Sequence, residues 1–274
     1  MHCIFCKRDS SGSRSREHIL PESLGNALYT LPPGVVCDSC NNYFAREVEK
    51  PFLEAEPVKS LRFEQAIPSK RGKIPQLPGI ITPIGVPALV TRYSSGPIVG
   101  SIAVPEEAVP SFRELNQGLL IFQTPPGYPT GSVVSRFLAK VAIEAMAHRL
   151  LHYPGGPEHL VGEAALDLIR HHARRGETPC WPFHVRLIYN RDKKWPDPSG
   201  SYVQVVHEFD ILKTDLDEWF LVLAIFGMEF TINIGGPEID GYLKWLAKHD
   251  HASPLYSGKN AHLADPRDTD TGYR

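Results

Sequence analysis

The chain has 274 residues, 42% hydrophobic and 22% charged, with a formal net charge of -2 and an isoelectric point near 6.6. That length fits one or two domains at about 150 residues each, and the composition excludes wholesale disorder. The near-neutral balance excludes a coat-like nucleic-acid binder, which needs many cations on phosphates, but not local engagement of a single phosphate.

Residues 1–56 carry two Cys-x-x-Cys pairs, Cys3/Cys6 and Cys37/Cys40, the pair Glu17-His18, and a helix expected to start at Asn41. Residues 57–87 read as a linker running into edge strands, because Pro68, Pro75, Pro78, Pro83 and Pro87 crowd residues 68–87. Residues 88–274 read as a mixed α+β domain. Its expected strands are Ala88–Arg92, Ile98–Val104 and Leu119–Phe122. A helix over Ser132–His152 follows, with Val134, Phe137, Leu138, Val141 and Ala145 at three- and four-residue steps. Arg136, Lys140, Glu144 and His148 line its other side and are read as a solvated face. A second helix is expected over Glu158–Arg174, then strands at Phe183–Tyr189 and Tyr202–Phe209. A buried hairpin, Trp219–Phe226 with Met228–Ile234, turns at Gly227, and a short helix covers Ile239–Leu246. His148, His152, His159, His171 and His172 are read as surface or helix-end residues, and Cys180 as a packed thiol.

The longest apolar run, Trp219 to Phe226, is strand-sized, far from the roughly 18 residues that span a membrane. Residues 1–8 lack the apolar stretch of a signal peptide. A cytoplasmic protein without membrane association is expected. In a reducing compartment paired Cys-x-x-Cys turns point to metal rather than disulfide, and four thiolates from two chain segments suit tetrahedral zinc. The stretch between them is too long for a simple ribbon. It houses Arg16-Glu17-His18-Ile19-Leu20-Pro21 and Leu24-Gly25-Asn26, and the second pair is followed at once by Asn41 and Asn42.

This string, Cys-x-x-Cys, then Glu-His-Ile-x-Pro and Leu-Gly, then Cys-x-x-Cys-Asn, resembles the zinc-bearing HNH (ββα-metal) endonuclease superfamily. Its arrangement is also similar to the endonuclease VII-type junction resolvases. The likeness covers about residues 3–53. It implies a small zinc-stapled ββα-metal module, and with the elements read downstream the expected architecture is α+β, that module followed by a mixed sheet-and-helix domain.

The resemblance implies a metal-dependent endonuclease that hydrolyses DNA phosphodiester bonds, with RNA and homo-oligomerisation left open. His18 would be the general base, since an imidazole titrates near neutrality. Glu17 and Asn41 would hold Mg2+ or Mn2+ through hard oxygens, beside a structural Zn2+ on Cys3, Cys6, Cys37 and Cys40. Asn42 is an alternative to Asn41, whose other reading is a helix N-cap, and Glu47 and Glu49 stand in reserve. Lys7, Arg8, Arg14 and Arg16 are the candidate phosphate contacts. Adjacent strand residues face opposite ways, so Glu17 and His18 divide their tasks unless the strand is kinked. Many members of the family brace the His-bearing loop with an Asn a few residues before the second Cys pair. Leu31-Pro32-Pro33-Gly34-Val35-Val36 has none, and backbone groups near Gly34 are expected to substitute. Two other readings stay open: a non-catalytic zinc module that binds nucleic acid or protein, and a ligand-gated defence nuclease.

Overall fold

The computed structural model describes residues 1–122, 127–176 and 181–263; Cys180 lies outside them. It shows an α+β protein that divides into two compact units. One comprises Met1–Leu20, Asn26–Lys50 and Thr130–Arg274, the other Pro21–Gly25 and Pro51–Pro129. The N-terminal module and the C-terminal half of the chain therefore share one unit, although the intervening segment separates them in sequence. No helix among the described residues is long and apolar enough to cross a membrane.

In the first unit, β1 (Glu17–His18) and β2 (Thr30–Leu31) pair antiparallel, with Glu17 opposite Leu31 and His18 opposite Thr30. Helix α1 (Asp38–Phe44) follows and runs into a π-turn at Ala45–Glu49. Phe5 and Phe44, both buried, pack against each other with ring centroids 4.4 Å apart. The second unit holds α2 (Glu56–Glu64), most of it within the segment read from the sequence as a linker. Its antiparallel sheet runs β5-β4-β3-β6 from β3 (Leu77–Thr82), β4 (Val86–Arg92), β5 (Gly100–Ala103) and β6 (Leu119–Phe122). One sheet face closes on Phe63 and Ile74 through Leu77 and Val90. Alternation puts Ile80, Leu89 and Ile121 on the other, exposed face.

The rest of the first unit is built on α3 (Ser132–Leu150). Next come α4 (Asp167–Arg175) and β7 (Phe183–Leu187), the small hairpin β8 (Lys194–Pro196) and β9 (Tyr202–Gln204), then β10 (His207–Lys213). The hairpin β11 (Trp219–Ile225) and β12 (Met228–Asn233) precedes α5 (Asp240–Lys248). The sheet order is β10-β11-β12-β7, all antiparallel. Phe226 and Gly227 both take positive φ, 47° and 80°, which closes the β11–β12 hairpin. Phe220, Val222 and Ala224 pack on Tyr242, Leu246 and Leu255. Leu221, Leu223 and Ile225 alternate to the other face, and α3 lies against β10, β11 and β12.

Three expectations are corrected here. Helix α3 also packs on β2, on the π-turn and on α4, so the side read as solvated is covered. Lys140 and Glu144 are fully buried, and Arg136 and His148 half-buried, rather than a solvated face. The second helix breaks between Gly162 and Ala164. Glu163 is extended there (ψ 105°) and its carboxylate accepts from the Ala165 amide at 3.0 Å. His172 is buried rather than exposed, because α4 presses it against α3. Its Nε2 lies 2.9 Å from Ser135 Oγ and its ring against Trp181.

Away from the module, Glu229 is fully buried on β12. It accepts from Arg186 Nε and Ser253 Oγ, each at 2.5 Å, and from the Tyr242 hydroxyl at 2.8 Å. Removing one member of a buried ionic network leaves the others uncompensated. Glu229→Ala is expected to lower stability by about 3–5 kcal/mol, read as a lowered urea midpoint, with zinc content unchanged.

Candidate metal and nuclease site

The first Cys pair sits on a tight turn. Cys3 N donates to Arg8 O at 3.0 Å, Lys7 N to Cys3 O at 2.9 Å, and Lys7 itself takes φ 59°. The second pair opens α1, with Cys37 as N-cap accepting from Cys40 N at 3.4 Å. Ile4 N bonded to Val35 O at 3.0 Å joins the two turns. Ser10 Oγ bonded to Gly34 O at 2.5 Å fixes the bend, where Gly34 takes φ 93°.

The result brings the sulfurs of Cys3, Cys6, Cys37 and Cys40 within 4.8 Å of one another. A hydrogen bond from the Cys40 thiol, with backbone donors at Cys6, Cys37 and Phe5, overcomes burial and holds the Cys3 thiol low, at about 4. Burial, ahead of the neighbouring Cys3 charge, pushes Cys37 up, and donation to Cys3, then burial, pushes Cys40 up. Burial and the Cys3 charge oppose further thiolates in the cluster, and a cation among the four sulfurs removes that opposition. Thiolates in a tetrahedral set suit zinc.

Glu17 and His18 divide as strand alternation requires: Glu17 points inward, 3% exposed, and His18 is half-buried. The Glu17 carboxylate meets Lys140 Nζ at 2.8 Å. That ammonium also contacts Glu49 at 2.7 Å and Glu144 at 2.9 Å, and donates to the His18 carbonyl at 3.0 Å. Burial alone would depress the Lys140 pKa, but Glu144, Glu17 and Glu49 carry it well above the usual lysine value. Burial, outweighing Lys140 and joined by the like charges of Glu17 and Glu49, raises Glu144 well above the carboxylate range. Glu49 thus serves Lys140, and Glu47 pairs with Arg46 at 2.6 Å.

Asn41 is not the cap of its helix; it is the fourth residue of α1, one turn in. Its Nδ2 donates to the Arg16 carbonyl at 3.4 Å, which sets the amide beside the strand carrying Glu17 and His18. Asn42 is exposed on the same helix.

The brace sought near Gly34 is supplied by Asn26. It is buried, and Nδ2 donates to Leu20 O at 2.7 Å and Tyr29 O at 3.0 Å. Its Oδ1 accepts from Leu28 N at 3.0 Å and Tyr29 N at 2.9 Å. The amide thereby ties the end of β1 to the start of β2. The signal was present as Asn directly after Leu24-Gly25, in a turn that needs a polar side chain for its backbone. Asn26→Ala strands these main-chain groups, at about 1–3 kcal/mol per group where water is excluded. A loss of about 2–3 kcal/mol is expected, seen in thermal melts of the zinc-loaded protein.

Among the basic candidates, Arg14 and Arg16 are exposed beside β1. The Arg14 and Ser15 amides are anchored by Asp38, whose carboxyl those donors, Ser15 first, hold below its usual range. Arg16 reaches Thr30 Oγ1 at 3.4 Å. Arg8 is exposed and drawn to the cysteine cluster, with Cys6 raising its pKa. Lys7 is paired with Asp167 at 2.5 Å.

Residues missed by sequence reasoning also anchor the module to its unit. Arg170, fully buried on α4, donates to the Ile4 carbonyl at 2.7 Å inside the first Cys turn. Arg136 bonds the Tyr43 hydroxyl at 2.9 Å.

Residues 3–55 match the family model described as HNH endonuclease. Neither a search of curated proteins nor one of solved structures finds a match. The matched residues contain both cysteine pairs, Glu17-His18, Asn26 and Asn41, so this segment is an HNH domain of nuclease type with four cysteines arranged to bind a metal ion.

Proposed function

We propose that the protein is a metal-dependent HNH endonuclease that hydrolyses DNA, with His18 as general base. The observation that carries this reading is the placement of Asn41 and the Glu17-His18 strand side by side, inside a four-cysteine clamp. Zinc on Cys3, Cys6, Cys37 and Cys40 would staple a module too small to be stable through its own core.

The donors beside β1 are a carboxylate and an amide oxygen, hard ligands that fit Mg2+ or Mn2+ rather than a soft ion. With Asn41 Nδ2 spent on Arg16 O, its Oδ1 is the atom offered to the cation, together with the Glu17 carboxylate. A bound divalent ion would supply charge stabilisation to the phosphate and the departing oxygen. The chain's own work is proton transfer and positioning. His18 takes a proton from water as the water oxygen bonds to phosphorus. The P–O3′ bond breaks and the departing O3′ takes a proton from solvent, leaving 5′-phosphate and 3′-hydroxyl ends. Arg14 and Arg16, exposed on the flank of β1, neutralise neighbouring phosphates.

A binding module without catalysis is the reading that deep burial of Glu17 favours. Gel shifts of the wild type and Glu17→Ala on duplex DNA, with cleavage followed in the same lanes, separate the two. The nuclease reading expects binding by both and Mg2+-dependent products from the wild type alone. Binding indifferent to Mg2+ and to Glu17→Ala, with no products from either, would replace it with the binding module.

A further inference from the structure

We infer that Lys140 is a positioning residue of the nuclease site, supplied from outside the HNH segment by helix α3. The inference rests on the nuclease reading above, in which Glu17 holds the divalent ion and His18 is the base.

Burying an ammonium is unfavourable unless it is paired and hydrogen-bonded, and one carboxylate would serve for that. Lys140 instead sits among three, Glu17, Glu49 and Glu144. It also donates to the main-chain carbonyl of His18 itself. Its two partners on β1 are thus the side chain of one motif residue and the backbone of the other. Glu144, one turn along α3, and Glu49, on the π-turn, fix the ammonium from two directions. The position of Nζ is therefore set by α3 and the π-turn and is imposed on Glu17.

The consequence is geometric. One Glu17 oxygen, Oε1, is held on Lys140, which restrains the rotation of the carboxylate. The carbonyl bond fixes the His18 peptide, so that alternation turns the imidazole the opposite way. Partners that hydrogen-bond a ligating carboxylate typically affect metal affinity or activity by about 10–100-fold when removed. Lys140 occupies that place here, with its side chain fully buried behind the contact to Glu17 Oε1. The HNH segment would then be incomplete as a catalyst without α3, which accounts for its sharing a unit with the C-terminal half of the chain.

The test uses the full-length, zinc-loaded protein and Mn2+, titrated by electron paramagnetic resonance of the free ion, with plasmid cleavage measured in parallel. Two variants remove the ammonium without leaving its neighbour on α3 as a buried charge: the pair Lys140→Met with Glu144→Leu, and the pair Lys140→Gln with Glu144→Gln. If one pair fails to fold, the other decides. Both are expected to keep zinc and DNA affinity, to bind Mn2+ about 10–100-fold more weakly and to lose kcat by a similar factor. Lys140→Arg, which keeps a charged donor, is expected to fall between them and the wild type. Folded pairs that match the wild type within about threefold in both Mn2+ affinity and kcat would overturn the inference and reduce Lys140 to a buried counter-ion. Glu17→Gln serves as control. If it binds Mn2+ as the wild type does, or the wild type binds none, the nuclease reading itself is what fails, and the role given to Lys140 falls with it.

Discussion

Cys40→Ser is expected to abolish stoichiometric zinc and to unfold residues 1–50. The four sulfurs come from two turns joined by the backbone bond from Ile4 to Val35, the Ser10–Gly34 bond, the Cys37 amide on the Cys3 sulfur and the tilted contact of Phe5 with Phe44. Those interactions are few for a segment of this size. Zinc binding in small modules is worth about 10–16 kcal/mol and appears directly as folding free energy. The wild type should carry one zinc per chain by elemental analysis, and Cys40→Ser close to none. Limited proteolysis should cut the variant within the first 50 residues while the C-terminal sheet survives. The affinity of thiols for the metal also falls as they are protonated. With Cys3 held low at about 4, its contribution to the folded state is complete above the ordinary thiol value of 9.0 and declines through the range between them. Zinc release should accordingly accelerate as pH falls toward 4. A metal-free protein that melts like the wild type would contradict the clamp.

His18→Ala carries the second large effect. A positioned base contributes about 10²–10⁴-fold to such a reaction, and His18 is half-buried on a strand whose other residue is anchored to Lys140. Truncating the imidazole leaves that anchor, the Thr30 pairing and the cysteine cluster intact. A loss of about 10³-fold in cleavage, with unchanged zinc content and melting temperature, is therefore expected. The drop should appear in kcat, because DNA affinity rests on Arg14, Arg16 and their neighbours.

The local chemistry of the module was legible in the sequence because its spacing is local. Two Cys-x-x-Cys turns, a Glu-His pair and a trailing Asn need no knowledge of the rest of the chain. Leu119–Phe122 and the hairpin turn at Gly227 were legible for the same reason. What escaped was decided by distant partners. Lys140 and Glu144 repeat at the period of a solvated helix face, and nothing nearby reveals that Glu17 and Glu49, far back along the chain, cover them. His172 is buried by Ser135 through the same kind of long-range packing. Asn26 escaped differently: its four hydrogen bonds are all local, but they lie further upstream of the second Cys pair than the stretch in which a brace was sought.

The second unit adds an exposed apolar sheet face, with Ile80, Leu89, Leu119 and Ile121 at 39–71% exposure.

The central claim, that His18 drives metal-dependent strand cleavage, is tested most directly on supercoiled plasmid. Wild type and His18→Ala, each zinc-loaded, are incubated with Mg2+, with Mn2+ or with a chelator that spares the tightly bound zinc. Nicked or linear product from the wild type with either metal, none with the chelator, and none from His18→Ala is the predicted result. Equal cleavage by the two proteins, or none by a wild type shown to bind the same DNA with zinc in place, would contradict it.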